Sequence, residues 1–312
     1  MALTRRNDRL GIHSIGEFHL TVPSLAEAES FYGTFGLRVA RGGEGLTLRA
    51  GTSEHVWGRV FEGARKRLQG LVFHCFEDEF DNLVGRIQRE GVEMIETEEA
   101  TRNQGIWFRD PDGLRICVRP GVKTTPDDVI HVSPPLPTHG ARCAPYRSLA
   151  QAVLPTRLSH IARITPSVSN QVAFYERALG LRLSDRSGDG VAFMHAPHGS
   201  DHHLVAFAHG EGHALHHLSW DVPTVEDVGA GMTRMRAAGY TQGWGLGRHV
   251  LGSNYFYYAR DPWGSFCEFS ATMDYIPASC NWEAKDHPPE DSMYLWGPDI
   301  PPEFLENSEA DR

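Results

Sequence analysis

The sequence predicts an α+β protein made of two similar halves, each built from two βαβββ-like units, followed by a C-terminal tail. Three observations carry this expectation. One word order occurs twice along the chain, each copy alternates short strands with amphipathic helices, and each copy ends on a strand, an Asp-Pro-x-Gly turn and a further strand.

In the first copy the word runs from a strand, Phe18 to Val22, through Pro23-Ser24 and a helix carrying Phe31-Tyr32, to Gly36-Leu37-Arg38. In the second it runs from Ile161 to Thr165, then Pro166-Ser167, Phe174-Tyr175 and Gly180-Leu181-Arg182. Val168, Val172, Tyr175 and Leu179 recur at helical spacing behind a Ser cap, and Gly180 stands where a left-handed C-terminal residue belongs. A further helix is expected from Thr224 to Ala238, with Val225, Val228, Met232 and Met235 inward and Gly239 ending it. The closing pairs of strands flank Asp110-Pro111-Asp112-Gly113 and Asp261-Pro262-Trp263-Gly264. The Pro-, Thr- and Ser-rich stretch between the copies marks a linker. The expected units are 1–125, a linker at 126–155, 156–275, and a tail at 276–312 whose prolines suggest an extended segment able to act as a lid.

Composition narrows the function. A net charge of −10 without a dense Lys/Arg run removes the electrostatic footprint of a nucleic-acid or anionic-membrane binder and favours a small-molecule ligand. The charged start and the absence of long apolar runs point to a soluble, cytoplasmic protein. Five scattered cysteines without a Cys-x-x-Cys pair indicate neither a disulfide framework nor a thiolate zinc site. The unusual feature is 17 histidines, since imidazole is the commonest metal ligand. Of these, His195, His198, His209, His213 and His216 are expected to be mostly surface or rim residues.

Three strand positions carry the chemistry. Leu218, Trp220 and Val222 share a face with His216 and should pack against helices, which leaves His217 on the opposite face with Ser219. Likewise Cys267 and Phe269 point one way and Glu268 the other. A carboxylate on an otherwise apolar strand needs a partner. Two imidazoles and a carboxylate, His160, His217 and Glu268, form the facial triad that suits non-haem iron(II), and the same donors accept manganese(II).

The words Leu158-Ser159-His160, His216-His217-Leu218, Gly247-Arg248-His249, Tyr257-Tyr258 and Phe266-Cys267-Glu268-Phe269 resemble the type I extradiol dioxygenases of the vicinal oxygen chelate superfamily, which cleave catechols. That resemblance implies a glyoxalase-like fold, His160, His217 and Glu268 as ligands of Fe(II) or Mn(II), and His203, in an expected strand from His202 to Phe207, His249 and Tyr258 as catalytic residues beside them. It also implies a catecholic substrate cleaved with O2 in aromatic compound degradation, and assembly as a homodimer or homotetramer. Superposing the two copies sets Glu17, Gly70 and Cys117 at the positions of His160, His217 and Glu268, so the first half should lack the metal site. Trp244 stands where the homoprotocatechuate branch of the family carries an anion-binding arginine, which disfavours that substrate, although Arg163 or Arg248 is available to an anion. The competing readings are a hydroquinone or trihydroxybenzene dioxygenase, a glyoxalase-like isomerase or transferase, and a metal-free binding protein.

Overall fold

A computed structural model describes residues 5–96, 105–129, 139–150 and 152–310. The first half consists of β1 (Ser14–Val22), α1 (Leu25–Phe35), β2 (Arg38–Gly42), β3 (Gly45–Arg49), β4 (Gly58–Glu62), β5 (Arg67–Cys75), α2 (Phe80–Arg89), β6 (Met94–Ile95), β7 (Ile106–Arg109) and β8 (Arg115–Pro120). Its strands form one sheet in the order β2-β3-β4-β1-β5-β8-β7-β6. That order is two βαβββ units joined along β1 and β5.

The second half repeats the plan with β9 (Arg157–Thr165), α3 (Val168–Phe174), β10 (Arg182–Ser187), β11 (Val191–His195), β12 (Ser200–Asp201), β13 (Val205–His209), β14 (Ala214–Asp221), α4 (Val225–Ala237), β15 (Gly243–His249), β16 (Tyr255–Arg260) and β17 (Phe266–Ala271). The tail adds β18 (Tyr275–Ile276), β19 (Lys285–Asp286) and β20 (Tyr294–Trp296). β19 and β20 attach to opposite ends of the second sheet, whose order is β19-β10-β11-β13-β9-β14-β17-β16-β15-β20. The tail therefore spans the sheet from edge to edge.

Local chemistry explains the helix limits. Ser24 and Ser167 accept from the backbone N–H of Glu27 and Asn170, and Thr224 forms a reciprocal capping box with Asp227. Gly36 ends α1 at φ 109°, and a β-carbon there would meet the Val153 carbonyl at 2.5 Å. The second-copy helix departs from uniform 3.6 spacing: after Phe174 it widens into a π-type turn over Tyr175–Leu179 before Gly180 stops it at φ 75°. That turn carries Tyr175, whose hydroxyl donates to Asp110 of the first half and accepts from Arg163.

The helices pack between the two sheets, where both halves share one core. Phe35 of α1 stacks on Phe269 of β17 with ring centroids 3.8 Å apart, and Phe108 meets Phe174. Buried ion pairs tie the halves together, among them Arg163 with Asp110, and Lys66 with Glu309 of the tail. Part of the expected linker, 130–138 and 151, and residues 1–4, 97–104 and 311–312 lie outside the described residues. Among the described residues no helix is long and apolar enough to cross a membrane.

The strand registers agree with the sequence superposition. Phe18 faces Leu71 and Leu71 faces Ile116, as Ile161 faces Leu218 and Leu218 faces Cys267. Glu17, Gly70 and Cys117 thus occupy the places of His160, His217 and Glu268.

Candidate metal centre

His160, His217 and Glu268 lie inside β9, β14 and β17, three neighbouring strands, on the sheet face away from the helices. Cys267 and Phe269 flank Glu268 and point into the shared core, as the alternation requires. The nitrogen Nε2 of His160 is 3.1 Å from Nε2 of His217 and 3.2 Å from Oε2 of Glu268, and the third edge, His217 to Glu268, is 3.6 Å. Donors each about 2.1 Å from one ion and at right angles lie about 3.0 Å apart, so the triangle has the size of a coordination face. Glu268 is fully buried and its Oε2 has no hydrogen-bond partner, an arrangement that only a cation or a proton relieves. Burial pushes this carboxyl up, but the His160 imidazole facing its Oε2 outweighs it and holds Glu268 well below the usual carboxylate range. Among the described residues no other set of three His, Cys, Asp or Glu converges in this way.

Two buried relays set which nitrogen each neighbouring imidazole presents. Nε2 of His216 lies 2.6 Å from the Phe304 carbonyl, which can only accept, so that nitrogen carries the hydrogen. Nδ1 of His216 then accepts from Nδ1–H of His217 at 2.6 Å, and the lone pair of His217 Nε2 is left facing the cluster. In the second relay His202 donates from Nε2 to Asp185 at 2.9 Å and accepts at Nδ1 from His203 at 3.1 Å. His203 therefore also presents an unprotonated Nε2, its ring 4.1 Å from that of His160. Burial, and then the neighbouring imidazoles of His160 and His202, push His203 well below the ordinary imidazole range, and burial does the same to His217.

His249 donates from Nδ1 to the Met293 carbonyl of the tail at 2.6 Å, and its Nε2 accepts from the Tyr258 hydroxyl at 2.9 Å. Burial, and then the Glu268 charge, raise the Tyr258 phenol well above its ordinary value, so it remains a donor. The six site residues named from sequence are thus gathered around one point. All but Glu268 line a cavity of about 740 Å³, with Glu268 buried behind the two imidazoles.

Several expectations change. His203 is not on a strand but on the connection between β12 and β13. His216 does not pack against the helices with Leu218: a register shift between Leu215 and His217 breaks the alternation, and His216 lies on the cavity side. His195 and His198 are buried rather than at the surface, since Ser184 meets His195 and Glu79 meets His198 across the two halves. His209 does stand at the cavity rim, and His213 is exposed. Sequence reasoning missed Asp185 and Asn254. Asn254 donates to Oε1 of Glu268 at 3.1 Å, and no local word marks it. The adjacent His202-His203 pair was the available signal for Asp185's relay. Arg163 and Arg248 do not reach the cavity: the first is ion-paired with Asp110, the second lies over the Tyr255 ring and donates to the Ser253 carbonyl.

Comparison with known proteins bears on this arrangement. Residues 12–118 and 157–269 match the Glyoxalase/Bleomycin resistance protein/Dioxygenase superfamily. Metapyrocatechase 2 of Cupriavidus necator is 50% identical over 302 residues, which cover 97% of this chain and 94% of that protein. Two solved structures share the fold. The substrate complex of homoprotocatechuate 2,3-dioxygenase from Brevibacterium fuscum superposes with TM-score 0.75 at 20% identity, covering 95% of this chain and 92% of that one. The Mn(II)-bound glyoxalase from Novosphingobium aromaticivorans superposes with TM-score 0.73 at 23% identity, covering 97% and 100%.

Proposed function

We infer the function from a premise the matches establish: the chain belongs to the Glyoxalase/Bleomycin resistance protein/Dioxygenase superfamily and, within it, to the extradiol dioxygenases. On that premise the protein cleaves the ring of a catechol beside its diol, using O2 and Fe(II) held by His160, His217 and Glu268. The observation that carries this reading is the orphaned Glu268 oxygen facing the ring nitrogens of His160 and His217 in the second half. The donor set of two nitrogens and one carboxylate leaves positions open for substrate, and it accepts Mn(II) as well as Fe(II). When bound, the metal supplies a Lewis-acid template that orients diol and dioxygen and passes electron density between them.

The residues around it divide the remaining work. His203, with Nε2 free, takes up and returns a proton while the O–O bond is cleaved, a role suited to a buried imidazole whose other nitrogen is fixed. Tyr258 and His249 hydrogen-bond the substrate oxygen and hold the diol in one orientation. The tail excludes water by covering the cavity with Met293, Ile300 and Leu305.

The test is to load the purified protein anaerobically with one equivalent of Fe(II), admit oxygen, and follow oxygen uptake and absorbance with catechol. Stoichiometric uptake with a yellow ring-opened product, abolished in Glu268→Ala, is the expected result. Bound metal without uptake for any diol would overturn the reading in favour of an isomerase or transferase.

A further inference from the structure

The cavity extends well past the three ligands. His160 and Ala162 lie on its floor in β9, and Ala206 and Ala208 continue that floor in β13. Ala206 is level with Ala162, and Ala208 with Ile164. At about 3.3 Å per residue the floor therefore runs about 13 Å from His160 to Ala208, while a single catechol ring spans less than half of that. Alanines at successive inward positions keep this length open, and Val191 and Phe193 wall it along β11. Met293, Ile300 and Leu305 of the tail line its remaining side.

Charge along this path is as specific as shape. Among the described residues the cavity lining contains no arginine or lysine; its outer end carries Asp189 and Asp286 together with His209 and with His287, whose Nε2 meets Asp185 at 2.8 Å. Arg186 at the mouth already meets Asp189 at 2.7 Å, while Arg163 and Arg248 are turned to partners elsewhere. A carboxylate on the substrate's substituent would leave water with no arginine or lysine along the floor to meet it, and would pass two acidic side chains on entry.

We propose that this site selects uncharged catechols whose apolar substituent, up to the size of a second ring, lies along the Ala162–Ala206–Ala208 floor, and that it rejects catechols bearing a carboxylate. The proposal rests on the ring-cleavage reading above. It makes Ala206 a specificity-determining residue, since a larger side chain there fills the floor one residue pair beyond His160.

The experiment compares kcat/KM for catechol, 4-ethylcatechol, 2,3-dihydroxybiphenyl and 3,4-dihydroxyphenylacetate, together with dissociation constants for the same diols measured without oxygen. Each added methylene should improve kcat/KM about fourfold. 3,4-Dihydroxyphenylacetate should fall at least about 100-fold below 4-ethylcatechol, its near-isosteric neutral counterpart. In Ala206→Leu the ratio of 2,3-dihydroxybiphenyl to catechol should drop at least about tenfold, and Ala208→Val should lower it in the same direction. Cleavage of 3,4-dihydroxyphenylacetate as well as 4-ethylcatechol, or an unchanged ratio in both variants, would overturn the proposal and leave ring cleavage standing. Failure to cleave any diol would overturn ring cleavage itself. The anaerobic binding order then still decides the substrate class: neutral above anionic supports it, and the reverse defeats it.

Discussion

Replacing His216 by phenylalanine isolates the contact through which the tail fixes the hydrogen of His217, one of the three proposed metal ligands. In the structure the Phe304 carbonyl holds the hydrogen of His216 on Nε2, so Nδ1 accepts from His217 and the lone pair of His217 Nε2 faces Glu268. Burial pushes His216 down to about 4, which keeps it the neutral acceptor this requires. Phenylalanine preserves the ring between Phe266 and Phe304, at centroid distances of 5.7 and 4.6 Å, and removes both polar atoms. His217 then has two outcomes. Its Nδ1–H stays buried without a partner, costing about 1–3 kcal/mol, or the hydrogen moves to Nε2 and removes the donor pair from the metal site. Loss of such an outer partner weakens metal binding about 10- to 100-fold, equivalent to about 1.4–2.8 kcal/mol. The assay is competition for Fe(II) against a chelator of known affinity. As a second readout, the stabilisation given by saturating metal should shrink by a matching amount. His216→Gln, which can both accept and donate, should recover part of the loss. A His216→Phe protein with native melting behaviour and a metal dissociation constant within about twofold of the parent would refute the relay.

Three further outcomes follow from the same geometry. His203→Ala should lower turnover about 10²- to 10⁴-fold while shifting the metal dissociation constant by less than about threefold, and equal losses in both would remove its assigned role. Asp110→Asn leaves the buried Arg163 guanidinium without its main counter-charge, so denaturant unfolding should show a loss of about 3–5 kcal/mol; a change under about 1 kcal/mol would mean that Asp112 and Tyr175 suffice. His13, His74 and His195 are buried and held neutral, pushed down to about 3, about 4 and about 3. Their unfolded forms bind protons below about pH 6.5 and the folded forms do not, so stability is complete above that pH and declines as pH falls towards 4. The three together should remove on the order of 4 kcal/mol at pH 5.5, visible as a drop in Tm, and a flat Tm between pH 7 and pH 5 would contradict their burial.

The fold and the convergence of His160, His217 and Glu268 were readable because each rests on a local or repeated pattern. The duplicated words set the strand order, the Ser caps and Gly36 and Gly180 set the helix ends, and strand parity separated Glu268 from Cys267. Where parity was interrupted, the reading failed. The irregularity between Leu215 and His217 brings His216 to the cavity side beside His217, and nothing in Ala-Leu-His-His announces it. His203 sits on a connection, where alternation gives no direction. Asn254, Asp185 and the tail carbonyls of Met293 and Phe304 reach the site by long-range contacts, and backbone carbonyls leave no mark in a sequence at all.

The duplication also shows what separates the His160–His217–Glu268 cluster from its counterpart in the first half. At the first-half position equivalent to His160, Glu17 is satisfied by His19 at 2.6 Å and by Arg59 at 3.0 Å, so its charge has no need of a metal. At the position of His217, Gly70 supplies no ligand, and a β-carbon there would already lie 3.3 Å from the Trp107 indole. Trp107 faces Cys117 across the strands as Tyr258 faces Glu268, and with Val72 it packs into a small apolar cluster. The same backbone register thus supports a site occupied by its own side chains in one half and an open cavity in the other. What separates them is the second half's alanine floor and its tail, which opens room beside the ligands and then reaches back through Met293 and Phe304 to fix the hydrogens of His249 and His216.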